Sequence, residues 1–140
     1  MTDFSVYLAD LVNDWMSQGS AMPTPPDPVY VVLFDDVGSE LTTSLQNGRV
    51  GVTAGTGWTK NGTDFENAAE IDFGENTSGG QITIQDVALY DSDTGGSDNE
   101  LARYQIETSG GSPTTVNVSD GTRVFFAAGE LDFDVVDRTE

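Results

Sequence analysis

The sequence predicts a mainly β protein: an antiparallel β-sandwich or jelly-roll-like domain with a short N-terminal amphipathic helix. Three observations predict it. From residue 29 onward, seven or eight short runs rich in β-branched and aromatic residues alternate with turn signals. Glycine occurs 16 times, as a fold with many tight turns requires. No long helical pattern lies between the runs to carry a parallel crossover, so antiparallel pairing is favoured. A chain of 140 residues suggests one domain with a real core. Its expected organisation is a helical anchor over 1–22, a proline-rich spacer over 23–28 and a β-sandwich domain over 29–140.

The spacing predicts a helix over 3–17. Phe4, Leu8, Leu11 and Trp15 fall three or four apart, and Tyr7, Val12 and Met16 widen the stripe. Asp3, Asp10 and Asp14 fall mostly on the other side. Thr2 or Asp3 can cap the start, and Gly19 can end the helix. Such a helix either packs on its own domain or docks on a neighbouring subunit. Next, PTPPDP places four prolines in six residues, a stiff extended spacer.

Val29 to Phe34 reads as a buried strand. Arg49 to Thr53 alternates after an Asn47-Gly48 turn signal, and Lys60-Asn61-Gly62 signals another turn. Phe65 to Phe73 places Ala69, Ile71 and Phe73 at spacing two. Gln81 to Tyr90 has a phase break: Ile82 and Ile84 share one parity, Val87 and Leu89 the other. A bulge near Gln85-Asp86 would reconcile them. Leu101 to Thr108, Val116 to Val118 and Arg123 to Ala127 follow. In Glu130 to Asp137, Leu131, Phe133 and Val135 alternate with Asp132 and Asp134, the pattern of a half-buried strand with an acidic outer face.

Charge narrows the function. There are 24 acidic residues against five basic ones, a net charge of −19, and Lys60 is the single lysine. Such a surface repels nucleic acid and anionic membranes. Asp outnumbers Glu 16 to 8. An ordinary acidic protein is one reading; adaptation to high salt is the sharper one. At ~1 M salt the Debye length is about 3 Å, and the repulsion among carboxylates nearly vanishes. The chain holds no cysteine and no histidine. That excludes disulfides, thiol chemistry, histidine-based triads and His-bound zinc. No 18-residue apolar run marks a transmembrane helix, so no membrane insertion is expected. The first residues are too acidic for a signal peptide, so an exterior location would need a route other than simple secretion.

Carboxylates remain as candidate chemistry. Asp35 with Asp36, or Asp132 with Asp134, could form a glycosidase-like pair. Yet some pairs are bound to be close among 24 acids, and no nucleophile elbow, P-loop or nucleotide fingerprint appears. The chain is expected not to be an enzyme. Asp91, Asp93 and Asp98 surround Gly95 and Gly96 and could supply oxygen ligands to Ca²⁺. They depart from the EF-hand order, and a plain connecting loop is the competing reading. No other cofactor is expected. Trp58, in TGWTKNG, is either a contact for a host-surface glycan or a plug at the core edge. Three glycosylation sequons start at Asn61, Asn76 and Asn117.

Several segments, taken in order, resemble a family of small tailed-virus structural proteins described as tail-fibre or minor virion proteins. They are VYVVLFDD (29–36), Gly38-Ser39-Glu40, RVGVT (49–53), NAAEIDF (67–73), VALYDSDTGG (87–96) and DGTRVFFAAGELDFDV (120–135). The resemblance covers roughly residues 4 to 136. It departs in the acidic surface and in the longer loop after Gly96. It implies a virion component without catalytic residues or cofactor, displayed as a homo-oligomer, a trimer or pentamer, beside other virion proteins. With the acidity, it implies a tailed virus of a halophilic archaeon. The expected role is capsid decoration, turret or tail fibre, with Phe4, Tyr7, Leu8, Leu11, Val12 and Trp15 as the assembly helix. The alternative is a module binding a host-surface glycan or receptor.

Overall fold

The computed structural model describes residues 3–62 and 64–134. In chain order the elements are β1 (Asp3–Phe4), α1 (Val6–Gln18), β2 (Val29–Phe34), β3 (Arg49–Val52), β4 (Trp58–Asn61), β5 (Asp64–Asn67), β6 (Ile71–Glu75), β7 (Ile82–Ile84), β8 (Asp86–Tyr90), β9 (Glu100–Gln105), β10 (Val116–Val118), β11 (Arg123–Phe126) and β12 (Asp132–Asp134). Every ladder is antiparallel. The expected fold class holds: mainly β, with one short N-terminal helix.

A five-stranded sheet runs β1-β9-β8-β2-β3. Three smaller ladders, β10-β7, β11-β6 and β12-β5-β4, supply the other strands. One contiguous core joins them. Val31, Leu33, Val87 and Leu89 from the large sheet meet Ile71, Phe73, Ile82, Ile84, Val118, Leu131 and Phe133 from the smaller ladders. Val29–Phe34 reads as an unbroken apolar run because β2 is covered on both faces. On its second face Val32, Phe34 and Ala88 form a separate buried cluster with Tyr90 against it.

The helix starts later than its spacing suggests. Ser5 is the N-cap, its Oγ accepting the Leu8 amide at 3.1 Å, and Gly19 closes the helix in the left-handed region. Asp3 and Phe4 pair instead with Arg103 and Ala102 of β9, and the Ser5 amide donates to the Leu101 carbonyl at 3.0 Å. An open sheet edge satisfies those two residues' backbone groups, which a first helical turn leaves unbonded. Phe4 therefore belongs to β1 rather than to the helical stripe. Of the two expected caps, Asp3 is in β1, and Thr2 lies outside the described residues. Residues 19–28 carry no regular element.

The phase break also has a different cause from the expected bulge. β7 pairs with β10, whereas β8 pairs with β2 and β9. Gln85 is the corner where the chain passes from one ladder to the other, its amide bonded to the Phe34 carbonyl and its carbonyl to the Ile106 amide. Side chains of opposite parity thus all reach one core. Phe65 to Phe73 likewise divides into β5 and β6, leaving Ala69 exposed between them. At the last strand, Leu131 just before β12 and Phe133 within it are buried and Asp132 is exposed, as alternation predicts. Val135 and Asp137 lie outside the described residues.

Candidate functional site

The loop between β8 and β9 is organised by an arginine. Arg49, in β3, donates through Nε and Nη2 to the two carboxylate oxygens of Glu40, at 2.7 and 3.0 Å. Its Nη1 reaches the Ser92 carbonyl and Asp98 Oδ2, both at 2.8 Å. The Arg49 side chain is only 5% exposed, and its guanidinium lies 4.7 Å from the Tyr90 ring centroid. The bidentate bond to Glu40 raises the Arg49 pKa, so the group stays charged at any ordinary pH. The same bond holds the Glu40 carboxyl below its usual range. Burial pushes Asp98 up, but the bond from Arg49 and backbone amide bonds outweigh it, and its pKa is lowered.

The three aspartates that could have served as calcium ligands turn to three different tasks. Asp98 holds Arg49 and accepts the Gly96 amide at 2.9 Å. Asp91 accepts both the backbone amide and the Nδ2 of Asn99, at 2.7 and 2.8 Å. Asp93 accepts the Thr94 hydroxyl at 2.9 Å. Among the described residues, no group of three or more carboxylates is arranged to hold a metal ion. Gly96, with φ of 87°, makes the turn in a conformation that L side chains rarely adopt.

A second arginine covers the outer face of the five-stranded sheet. Arg103 packs its guanidinium 3.7 Å from the Phe34 ring centroid and pairs with Glu100 at 2.7 Å. Glu100 also accepts the Tyr90 hydroxyl at 2.8 Å. Burial, with help from that bond, pushes the Tyr90 hydroxyl up to about 12. Two guanidiniums over two rings thus shield Val32 and Ala88, both fully buried. Sequence reading missed this pair of arginines. The available signal was their rarity: with five basic residues in the chain, an arginine inside a strand is worth a question.

Trp58 stands in β4, not in a loop. It is half-buried, packed edge-on against Phe65 and Phe133 at centroid distances of 5.5 and 5.9 Å. Phe133 also meets Tyr104 at 4.5 Å. This is the geometry of a core-edge plug. Of the paired acids, Asp35 Oδ1 accepts the Val37 and Ser39 amides in a turn, and Asp132 is exposed.

Two buried asparagines tie distant segments together. Asn67 Nδ2 donates to the carbonyls of Ala69 and Ala127 at 2.7 and 2.9 Å, and its Oδ1 accepts the Leu131 amide at 2.9 Å. Asn76 Nδ2 donates to the carbonyls of Gly80 and Val118 at 2.8 and 3.0 Å. That burial closes the Asn76 sequon in the folded chain. Asn61 and Asn117 are exposed.

The helix is only partly covered. None of its residues is buried: Leu8, Leu11 and Val12 are half-buried, while Tyr7, Trp15 and Met16 are exposed, Trp15 at 51% and Met16 at 75%. The apolar stripe was legible, but its covering is only partial.

These contacts join several of the segments that carried the resemblance. Glu40, Arg49 and Ser92 meet at one knot, and Asn67, Ala69, Ala127 and Leu131 at another. No curated protein matches the chain. Residues 3–134 match the model of the family described as Podophage GP4 fiber I protein gp80. With almost its whole length matched, the chain belongs to this phage fibre protein family.

Proposed function

We propose that this chain is a non-enzymatic structural subunit of a tailed-virus fibre, displayed on the virion as a homo-oligomer and built for high salt. Family membership supports the fibre role. One observation of the structure carries the assembly role: α1 presents Tyr7, Leu11, Trp15 and Met16 and buries none of its residues. A 13-residue helix is marginal on its own in water, because the cost of nucleation is spread over few hydrogen bonds. Contact of its apolar stripe with a neighbouring subunit or another virion protein would stabilise it.

The test is a doubly substituted chain, Leu11→Asp with Trp15→Asp. The β-domain should keep its melting temperature, because neither side chain lies in the buried core. Incorporation into particles should fall at least tenfold. Normal incorporation of that variant contradicts the assembly role.

The salt adaptation rests on the 24 acids against five bases and on the single lysine. Among the described residues, Arg49, Arg103 and Arg123 are all held in carboxylate pairs. Most carboxylates therefore depend on counterions for screening. Dilution from ~1 M to ~0.01 M salt stretches the Debye length from about 3 to about 30 Å. The melting temperature should drop by more than 10 °C over that range. A salt-independent melt contradicts the adaptation.

A further inference from the structure

Two asparagines of the chain stand directly before glycine, at Asn47-Gly48 and Asn61-Gly62. Such a step can react with itself. The glycine carries no side chain to keep its amide nitrogen away from the carboxamide carbon of the asparagine before it. Both asparagines are exposed, so exposure does not separate them. What holds each of them does. Asn47 is fixed twice: its backbone amide donates to the Phe73 carbonyl at 2.9 Å, and its Nδ2 donates to the Asp72 carbonyl at 3.2 Å. Gly48 is clamped as well, since a Cβ built on it would overlap the carbonyl oxygen and Cγ2 of Thr42.

Asn61 is held far more loosely. It is the last residue of β4, in register with Asp64, and Gly62 opens the two-residue loop of the β4–β5 hairpin. β4 has a neighbour on one side only. A Cβ on Gly62 would meet nothing within 4 Å, and its φ of 67° is one that glycine adopts freely. Among the described residues, none bonds the Asn61 carboxamide. The tip of a short hairpin at a sheet edge is also where a fold opens most readily, which gives the glycine nitrogen its approach.

We propose that Asn61 is a self-modification site: with water as the co-reactant it converts to aspartate and isoaspartate in the folded protein, while Asn47 is protected. Solvent hydroxide takes the Gly62 amide proton, and the nitrogen's electron pair attacks Asn61 Cγ. A C–N bond forms, the Cγ–Nδ2 bond breaks, and ammonia leaves with a proton from water. The five-membered imide then takes up water. Opening at Cγ gives aspartate. Opening at the Asn61 backbone carbonyl gives isoaspartate, with the chain rerouted through Cγ. Nothing is oxidised or reduced. Aspartate places a second carboxylate opposite Asp64, a like-charge cross-strand pair. Isoaspartate adds a backbone carbon, which a two-residue loop cannot absorb without losing the 61–64 pair. The reaction needs no enzyme, so it is independent of the assembly role proposed for the helix. It makes the hairpin that carries Trp58 the place where the subunit ages.

The test holds the full-length chain, folded in high salt, at mildly alkaline pH in heavy-oxygen water. Samples taken over days go to peptide mass spectrometry, with fragmentation that tells isoaspartate from aspartate. Heavy oxygen marks conversion that preceded digestion. Conversion at residue 61 should run at least fivefold faster than at residue 47, with isoaspartate in excess. In urea the two rates should converge, because the fold and not the dipeptide separates them. A ratio in the folded chain below fivefold overturns the proposal. So does a residue 61 that converts only in urea, which would mean that the β4–β5 hairpin shields it. A ratio that persists unchanged in urea would show that packing around Gly48 and Gly62 is not the cause, and overturns it too.

Discussion

Asn67→Asp is expected to cost about 4 kcal/mol of stability. Asn67 is 1% exposed. Its amide nitrogen serves two carbonyls, and its oxygen serves the Leu131 amide. Aspartate keeps the acceptor and removes both donors. It then holds a carboxylate against the Ala69 and Ala127 carbonyls. Burial and those oxygens would raise the new carboxyl's folded pKa above its unfolded value. The penalty should therefore be full at neutral pH and shrink as pH falls through the raised value. Urea unfolding at ~1 M salt, at neutral and at acidic pH, measures both. A loss under about 1 kcal/mol, or one that grows on acidification, contradicts the assignment.

The second large effect is at Arg49. Arg49→Ala leaves Glu40 and Asp98 without their cation and the Ser92 carbonyl without its donor. Breaking a buried pair costs roughly 3–5 kcal/mol. Glu40 is 26% exposed, so the lower end, about 3 kcal/mol, is expected. Acid should reproduce part of the loss in the native chain. The folded pKa values of Glu40 and Asp98 are both lowered. Their contribution is complete above the ordinary values of 4.5 and 3.8 and fades as pH drops through the folded ones. Melts between pH 6 and about 2 at ~1 M salt should show that decline in the native chain and a shallower one in Arg49→Ala. Equal slopes would mean that Arg49 does not hold those carboxylates.

Both effects concern residues whose partners are remote in sequence, and this marks the boundary of what the sequence disclosed. Apart from β1, the strands of the large sheet were legible because β-branched runs and turn residues are local signals. The helix was legible from its stripe and from Gly19, which closes it. Its first residues were not, because a sheet edge formed by residues 100–105 competes for the backbone of Asp3 and Phe4. The change of parity at Gln85 was visible, but a change of ladder and a bulge leave the same trace in one dimension. Trp58 looked like a loop residue because its neighbours are turn formers, yet they flank the β4–β5 hairpin. The aspartates at 91, 93 and 98 left a ligand set and a plain loop both open, because Arg49, more than 40 positions away, gives no local sign of reaching them. Burial of Asn67 was equally hidden, since nothing local marks a polar side chain as internal.

What ties these parts together is the reading of the chain as a displayed fibre subunit. Its most direct test is electron microscopy of intact particles in ~1 M salt, with a density label fused after Glu140. The account predicts label on the particle exterior, in a symmetric cluster of copies at the tail. Particles that are infectious and complete but carry no label, with the labelled chain left in the soluble fraction, would contradict it.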